Sequence, residues 1–235
     1  MKRSDCSTLF LLDFDDTICP SSMLSTTSRE QLQQSAVQRE LKAIDKAAAA
    51  FIRNITTYPS TSVVIVSAGT SSWMTDALSL FPRLKRVLRN IRMVSARDDY
   101  EHMFPVHRHG PIDSPVLWKL ASFQKIINGL AGAKFINVIS IGDSAAERKA
   151  AKFLLRPDVL KLKGRRSSNK DKHAHAGLSV KSIQTAHNPT TTELIGQFSL
   201  LIGALGLLRF PVNIDGTVAD VARFIEQDKD RMAFA

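Results

Sequence analysis

Residues 8–17, "TLFLLDFDDT", decide how this chain is read. Thr8 to Leu12 is a short, mainly apolar run, which predicts a buried strand. It stops at Asp13, and Asp13, Asp15 and Asp16 then place three carboxylates within four positions. Carboxylates that close repel one another, so the pattern calls for a positive species at the mouth of the strand. A hard cation with oxygen ligands suits such a cluster, and Mg²⁺ fits best.

Working outward, the same alternation of strand and helix signals repeats. "SVVIV" at residues 62–66 is a second buried strand, followed by the turn Ser67-Ala68-Gly69 and a helix over 72–81. Residues 91–95 are a third strand, and 135–141 a fourth, closed by Gly142-Asp143. Helices are expected over 25–54 (with Ser28 as a cap), 116–130 (opened by Pro115), 145–155 and 190–208. Residues 96–115 read as a long polar loop. Residues 159–162 and 180–185 read as edge strands, and 209–235 as a C-terminal helical tail. The whole predicts one domain over 1–235, α/β in class: a doubly wound, mostly parallel sheet between two helical layers. In such sheets the ligand crevice lies outside the carboxyl ends of the strands. Asp13, Ser67 and Asp143 each follow such an end, and Lys119 lies near the start of the helix after the third strand.

That convergence predicts a chemistry. One carboxylate not consumed by a cation can attack phosphorus. A second can protonate the leaving oxygen and later activate water. Ser67 and neighbouring backbone N–H groups can hold phosphoryl oxygens, and Lys119 can offset charge on the attacking carboxylate. Lys125 is the competing lysine, but six positions along a helix turn it by about 600°, onto another face. Asp16 reads as a turn or cap residue, Trp73 and Trp118 as core or crevice wall, and His102, His107, His109, His173 and His175 as solvated loop residues.

"LFLLDFDDT", "VVIVSAG", Lys119 and "ISIGDSAAE" together resemble the four ordered motifs of the haloacid dehalogenase superfamily, over residues 8 to 155. The resemblance implies a Rossmann-like fold and a Mg²⁺-dependent phosphohydrolase. It implies that Asp13 is the nucleophile that forms an aspartyl-phosphate. Asp15 would be the general acid/base, its backbone carbonyl also on the metal. Thr17 would support the turn, Ser67 and Ala68 would bind phosphate with Lys119, and Asp143 would ligate Mg²⁺. Glu147 would help hold the metal, directly or through water; many relatives carry Asp there. Members often carry a cap domain, inserted after the first motif or after the third strand. Residues 17–62 and 97–114 have no room for one, which implies an open crevice and a large phosphorylated substrate.

Composition bounds the rest. The 235 residues are 44% hydrophobic and 23% charged, a globular balance. No uninterrupted apolar run reaches the ~18 residues of a membrane span, and the N-terminal apolar run meets acids too early for a leader. Cys6 and Cys19 are too few for a disulfide framework, which predicts a reducing compartment: cytoplasm, or nucleus. The net charge of +10 points to an anionic partner. It is concentrated between Lys161 and His175, where six Lys/Arg face one Asp. This basic loop, taken as 163–177, reads as a solvated loop, an import signal or a patch for a polyanion. A protein or another polyanion carrying phosphate is therefore the expected partner. The competing class is a catalytically inactive binding protein of the same fold, holding nucleic acid through the basic loop.

Overall fold

The structure is a computed structural model and describes residues 6–130, 135–156, 177–210 and 212–224. Its centre is a six-stranded, all-parallel sheet. The strands are β1 (Cys6–Leu12), β2 (Thr61–Ser67), β3 (Arg92–Ser95), β4 (Phe135–Gly142), β5 (Leu178–Gln184) and β6 (Ile214–Thr217), in the order β3-β2-β1-β4-β5-β6. β1 lies between β2 (Leu12 beside Ile65) and β4 (Leu12 beside Ile141). Both of its faces are therefore buried, which is why it reads as an unbroken apolar run. Phe10 and Leu12 pack on one face, Leu9 and Leu11 on the other.

The helices are α1 (Ser21–Thr26), α2 (Arg29–Leu32), α3 (Ser35–Thr56), α4 (Ser71–Leu78), α5 (Pro82–Leu88), α6 (Ala96–Tyr100), α7 (Val106–Asn128), α8 (Ala145–Phe153) and α9 (Thr191–Leu208). On the first face, α3 buries Leu41, Ile44, Ala48, Phe51, Ile52 and Ile55, a stripe at helical spacing. It packs against α9, with Phe51 stacked on Phe198 at 5.4 Å. Trp118 and Phe123 of α7 and Ala150 and Ala151 of α8 belong to the core of the opposite face.

Several expectations shift. The single helix over 25–54 is three, because the backbone turns extended at Thr27 and again at Gln34; Ser28 caps α2 with a reciprocal Ser28–Gln31 capping box. Residues 79–88 turn and form α5, whose amides at Arg83 and Leu84 are accepted by the buried Asp45 carboxylate of α3 at 3.1 and 2.8 Å. That contact, distant in sequence, starts a helix with no local cap. The expected loop over 96–115 is largely helical. Gly110, at φ 83°, kinks α7, and Pro111 starts its packed segment one turn before Pro115. β5 is an interior strand, because residues 214–217 form β6 inside the expected helical tail; helix resumes over 218–224. The strand expected at 159–162 and the basic loop, Gly177 excepted, lie outside the described residues.

α9 is the one helix among the described residues long and apolar enough to cross a membrane. It has a different use here: Leu194, Phe198, Leu201, Leu205 and Leu208 are all in the core. Its placement is unusual. The connections β3–α7–β4 and β5–α9–β6 step the same way across the sheet but pass over opposite faces, so their hands differ. About 98% of such crossovers share one hand.

Candidate functional site

The chain leaves β1 toward β2 and β3 on one side, and returns to β4, β5 and β6 on the other. The order therefore reverses between β1 and β4, the switch point at whose carboxyl ends such sheets bind ligands. Asp13 follows β1 and is held by its own N–H on the Ile141 carbonyl at 2.9 Å. Asp143 follows β4. The two acids thus emerge side by side from neighbouring strands.

The six residues after Asp13, Phe14 to Cys19, fold into a tight turn. Ile18 and Cys19 N–H donate to the Phe14 carbonyl, and Asp16 N–H donates to that of Cys19. Asp16 adopts φ 49°, the left-handed region that Asp tolerates, and accepts from the N–H and hydroxyl of Ser22 in the first turn of α1. It is the turn and cap residue expected. Thr17 is buried, but its hydroxyl has no partner among the described residues, so the backbone rather than this side chain holds the turn.

Asp15 is half-buried and accepts three hydrogen bonds: Ser21 Oγ at 2.6 Å and Trp73 Nε1 at 2.7 Å on Oδ1, and Ser67 Oγ at 2.7 Å on Oδ2. Ser67, at the end of β2, also accepts from Gly69 N–H at 2.8 Å. Gly69 is required at that place: a Cβ there would lie 2.9 Å from Trp73 Cδ1 and 3.2 Å from Asp15 Oδ2. Ala68, between them, packs against the second core face. Ser21 is a site residue that the sequence did not single out, and Trp73, expected as core or crevice wall, is a donor to Asp15. A tryptophan two residues into a helix carries no signal of an acceptor across the crevice.

Lys119 comes from α7 and is 1% exposed. Its ammonium pairs with Asp13 Oδ1 at 2.8 Å and with Glu147 Oε1. Lys125, on another face, is exposed and lies 3.4 Å from Asp99. Glu147 comes from α8, where its Oε2 accepts from Ser144 N–H at 3.0 Å and from Ser144 Oγ at 2.5 Å in a capping box. Both of its oxygens are therefore occupied. His187, in the turn after β5, meets Asp143 Oδ2 through Nδ1 at 2.8 Å. The sequence reading passed over this histidine, because a single His after an interior strand has no motif. Trp118 is core, with its indole N–H on the Phe104 carbonyl. His102, His107 and His109 lie in and around the start of α7, away from these acids in the chain's bonding, and His173 and His175 lie outside the described residues.

The electrostatics are unbalanced. Asp13, Asp143 and Glu147 each bring an oxygen within 4.8 Å of one another, all buried, and one ammonium serves them. Burial, with Lys119 opposing it and Asp15 and Asp143 adding to it, pushes the Asp13 carboxyl up to about 7. Asp143 is raised as well, by burial first, against the pull of His187 and Lys119. A group of acids short of positive charge suits a cation. Asp13 Oδ2 and Asp143 Oδ1 are the carboxylate oxygens of the cluster with neither a donor nor an ion-pair partner among the described residues. Glu147 fits less well as a direct ligand, since a cation at its Oε1 would face the Lys119 ammonium.

Comparison of the chain with protein-family models, with curated proteins and with solved structures finds no match. What stands on the structure itself is a Rossmann-like parallel sheet and, at its switch point, a buried acidic cluster suited to a metal ion.

Proposed function

We propose that this chain is a Mg²⁺-dependent phosphomonoester hydrolase of the haloacid dehalogenase type, working through an aspartyl-phosphate on Asp13. The observation that carries this reading is the buried Lys119–Asp13 pair at the switch point, with Asp15 held beside it by Ser67.

In the first step an Asp13 carboxylate oxygen bonds to phosphorus, and the bond from phosphorus to the leaving oxygen breaks. Asp15 gives its proton to that oxygen. In the second, water bonds to phosphorus as Asp15 takes its proton, and the Asp13–phosphorus bond breaks to release phosphate. Lys119 keeps Asp13 oriented and offsets charge that builds on the transferring group. Ser67 spends its proton on Asp15 here. Turning that proton to a phosphoryl oxygen frees Asp15 Oδ2 to carry one of its own. Mg²⁺, held by Asp13, Asp143 and the Asp15 backbone carbonyl, would neutralise charge on the phosphoryl oxygens. Glu147 supports this set through Lys119. The short connections around the crevice favour a phosphorylated macromolecule as substrate, with the basic loop attracting it.

The test is a hydrolysis screen over phosphopeptides, nucleotides, sugar phosphates and a chromogenic phosphate ester, with Mg²⁺, Ca²⁺ or no cation. Turnover is expected with Mg²⁺ and not with Ca²⁺, whose longer bonds misplace Asp13. Asp13→Asn should abolish it, and Asp15→Asn should let phosphoaspartate accumulate. Turnover that persists in Asp13→Asn would remove the nucleophile assignment.

A further inference from the structure

The loop after β5 contributes no acid to the cluster, yet His187 reaches one acid of the site directly and Asn188 meets a serine that contacts Asp16. His187 Nδ1 lies 2.8 Å from Asp143 Oδ2. Asn188, at φ 49°, lies with its amide 2.7 Å from Ser22 Oγ, which also contacts Asp16. The Ser22 hydroxyl, with one proton to give, stands between two acceptors, the Asp16 carboxylate and Asn188 Oδ1. The loop is therefore tied across the switch point to both β4 and the turn after β1.

The His187 contact has a direction. The imidazole side chain is 69% exposed, while the Asp143 side chain it touches is 8% exposed. The ring thus spends one edge on a buried carboxylate and gains little packing. Its bond fills Oδ2 and leaves Asp143 Oδ1 as the oxygen without a donor. A carboxylate held by a hydrogen bond at one oxygen loses less freedom when its other oxygen binds a cation.

We propose that His187 is a positioning residue for the cation site: its ring N–H fixes the Asp143 carboxylate so that Oδ1 faces the cation held with Asp13. The inference rests on the reading above that a cation binds between these acids. It does not rest on a charge change at His187, since the neutral ring with its proton on Nδ1 donates the same bond.

The experiment titrates Mg²⁺ alone into the full chain at pH 8, following the thermal unfolding midpoint, with no substrate needed. Wild type, His187→Ala, His187→Asn and Asp143→Asn are compared. Outer partners of metal ligands are typically worth about 10–100-fold in affinity. His187→Ala should therefore weaken Mg²⁺ at least about 10-fold, read as the cation-dependent rise above its own cation-free midpoint. His187→Asn, whose amide N–H can stand near Nδ1, should recover most of the affinity. Asp143→Asn should lose the response altogether. If wild type responds and His187→Ala responds at the same concentrations, the positioning role is overturned and the cation site stands. If His187→Asn is as weak as His187→Ala, the hydrogen bond is not the cause and the proposal fails. A wild type that Mg²⁺ does not stabilise removes the cation site, and this inference with it.

Discussion

Two lysines are buried almost equally in this protein, Lys119 at 1% exposure and Lys181 at 0%. Their surroundings differ. Lys119 sits at the carboxyl ends of the strands among acids that outnumber it. Lys181 lies within β5 and donates to the Asn137 amide oxygen at 2.6 Å, which Ser179 Oγ also meets at 2.8 Å; these are not all of its contacts. Asn137 passes its N–H groups on to the carbonyls of Leu208 and Arg209 at the end of α9. The Lys181 region thus converts a buried cation into a helix terminus anchored on the sheet. The Lys119 region leaves negative charge over, and charge left over in a buried crevice is what a ligand can use.

The sharpest way to break this contrast is to remove each charge in turn. Lys119→Met should cost about 10²–10³-fold in kcat on any phosphate ester the protein turns over, as loss of one preorganised electrostatic group does. Lys181→Met should lower the unfolding midpoint and leave kcat near wild type. Steady-state kinetics beside thermal unfolding separates the two. Equal kinetic loss in both variants would mean that the crevice and the β5 cluster are one coupled unit.

Acidity sharpens the contrast next. Asp13, raised to about 7 from an ordinary 3.8, holds its proton more tightly in the folded than in the unfolded chain. Stability from this group is therefore full below pH 4 and lost as pH climbs from about 4 to about 7, by at most about 4 kcal/mol. Asp143, also raised, acts in the same direction. The groups held low, among them Asp98, Asp215 and Asp220, work below that window. Without cation, the unfolding midpoint should thus fall between pH 5 and pH 8, by several degrees at ~2–4 °C per kcal/mol. Asp13→Asn should flatten the curve, and Mg²⁺ should restore wild type more at pH 8 than at pH 5. A midpoint that rises through this range would contradict the charge imbalance.

The smallest expected effects compare two glycines. A Cβ at Gly142 would lie 2.7 Å from Glu147 Cδ, in the side chain that caps α8 and meets Lys119. Gly142→Ala should lose that cap, worth about 1 kcal/mol, and reduce turnover with it. Gly196, exposed on α9, has nothing within 4 Å of its Cβ position. Gly196→Ala should stabilise by about 0.5–1 kcal/mol through helix propensity and leave turnover unchanged. Denaturant unfolding of the pair reads both signs.

The sequence by itself determined the parallel α/β class and five of its strands, β5 among them though as an edge, because strands buried on both faces are written as local apolar runs, as at β1, β2 and β4. It determined that Asp13, Ser67 and Asp143 follow strand ends, and the 600° turn from Lys119 to Lys125 allowed one lysine in the crevice. Tertiary structure decided what depends on partners far away in the chain. α5 begins on the Asp45 carboxylate, and β6 is short enough to be invisible until β5 offers an edge. Glu147 is drawn to Lys119, Trp73 to Asp15, and His187 to Asp143. Apolar periodicity is a property of neighbouring residues and is legible in order along the chain. A hydrogen bond between a side chain and a carboxylate some 50 residues away exists once the sheet has set the two strand ends side by side.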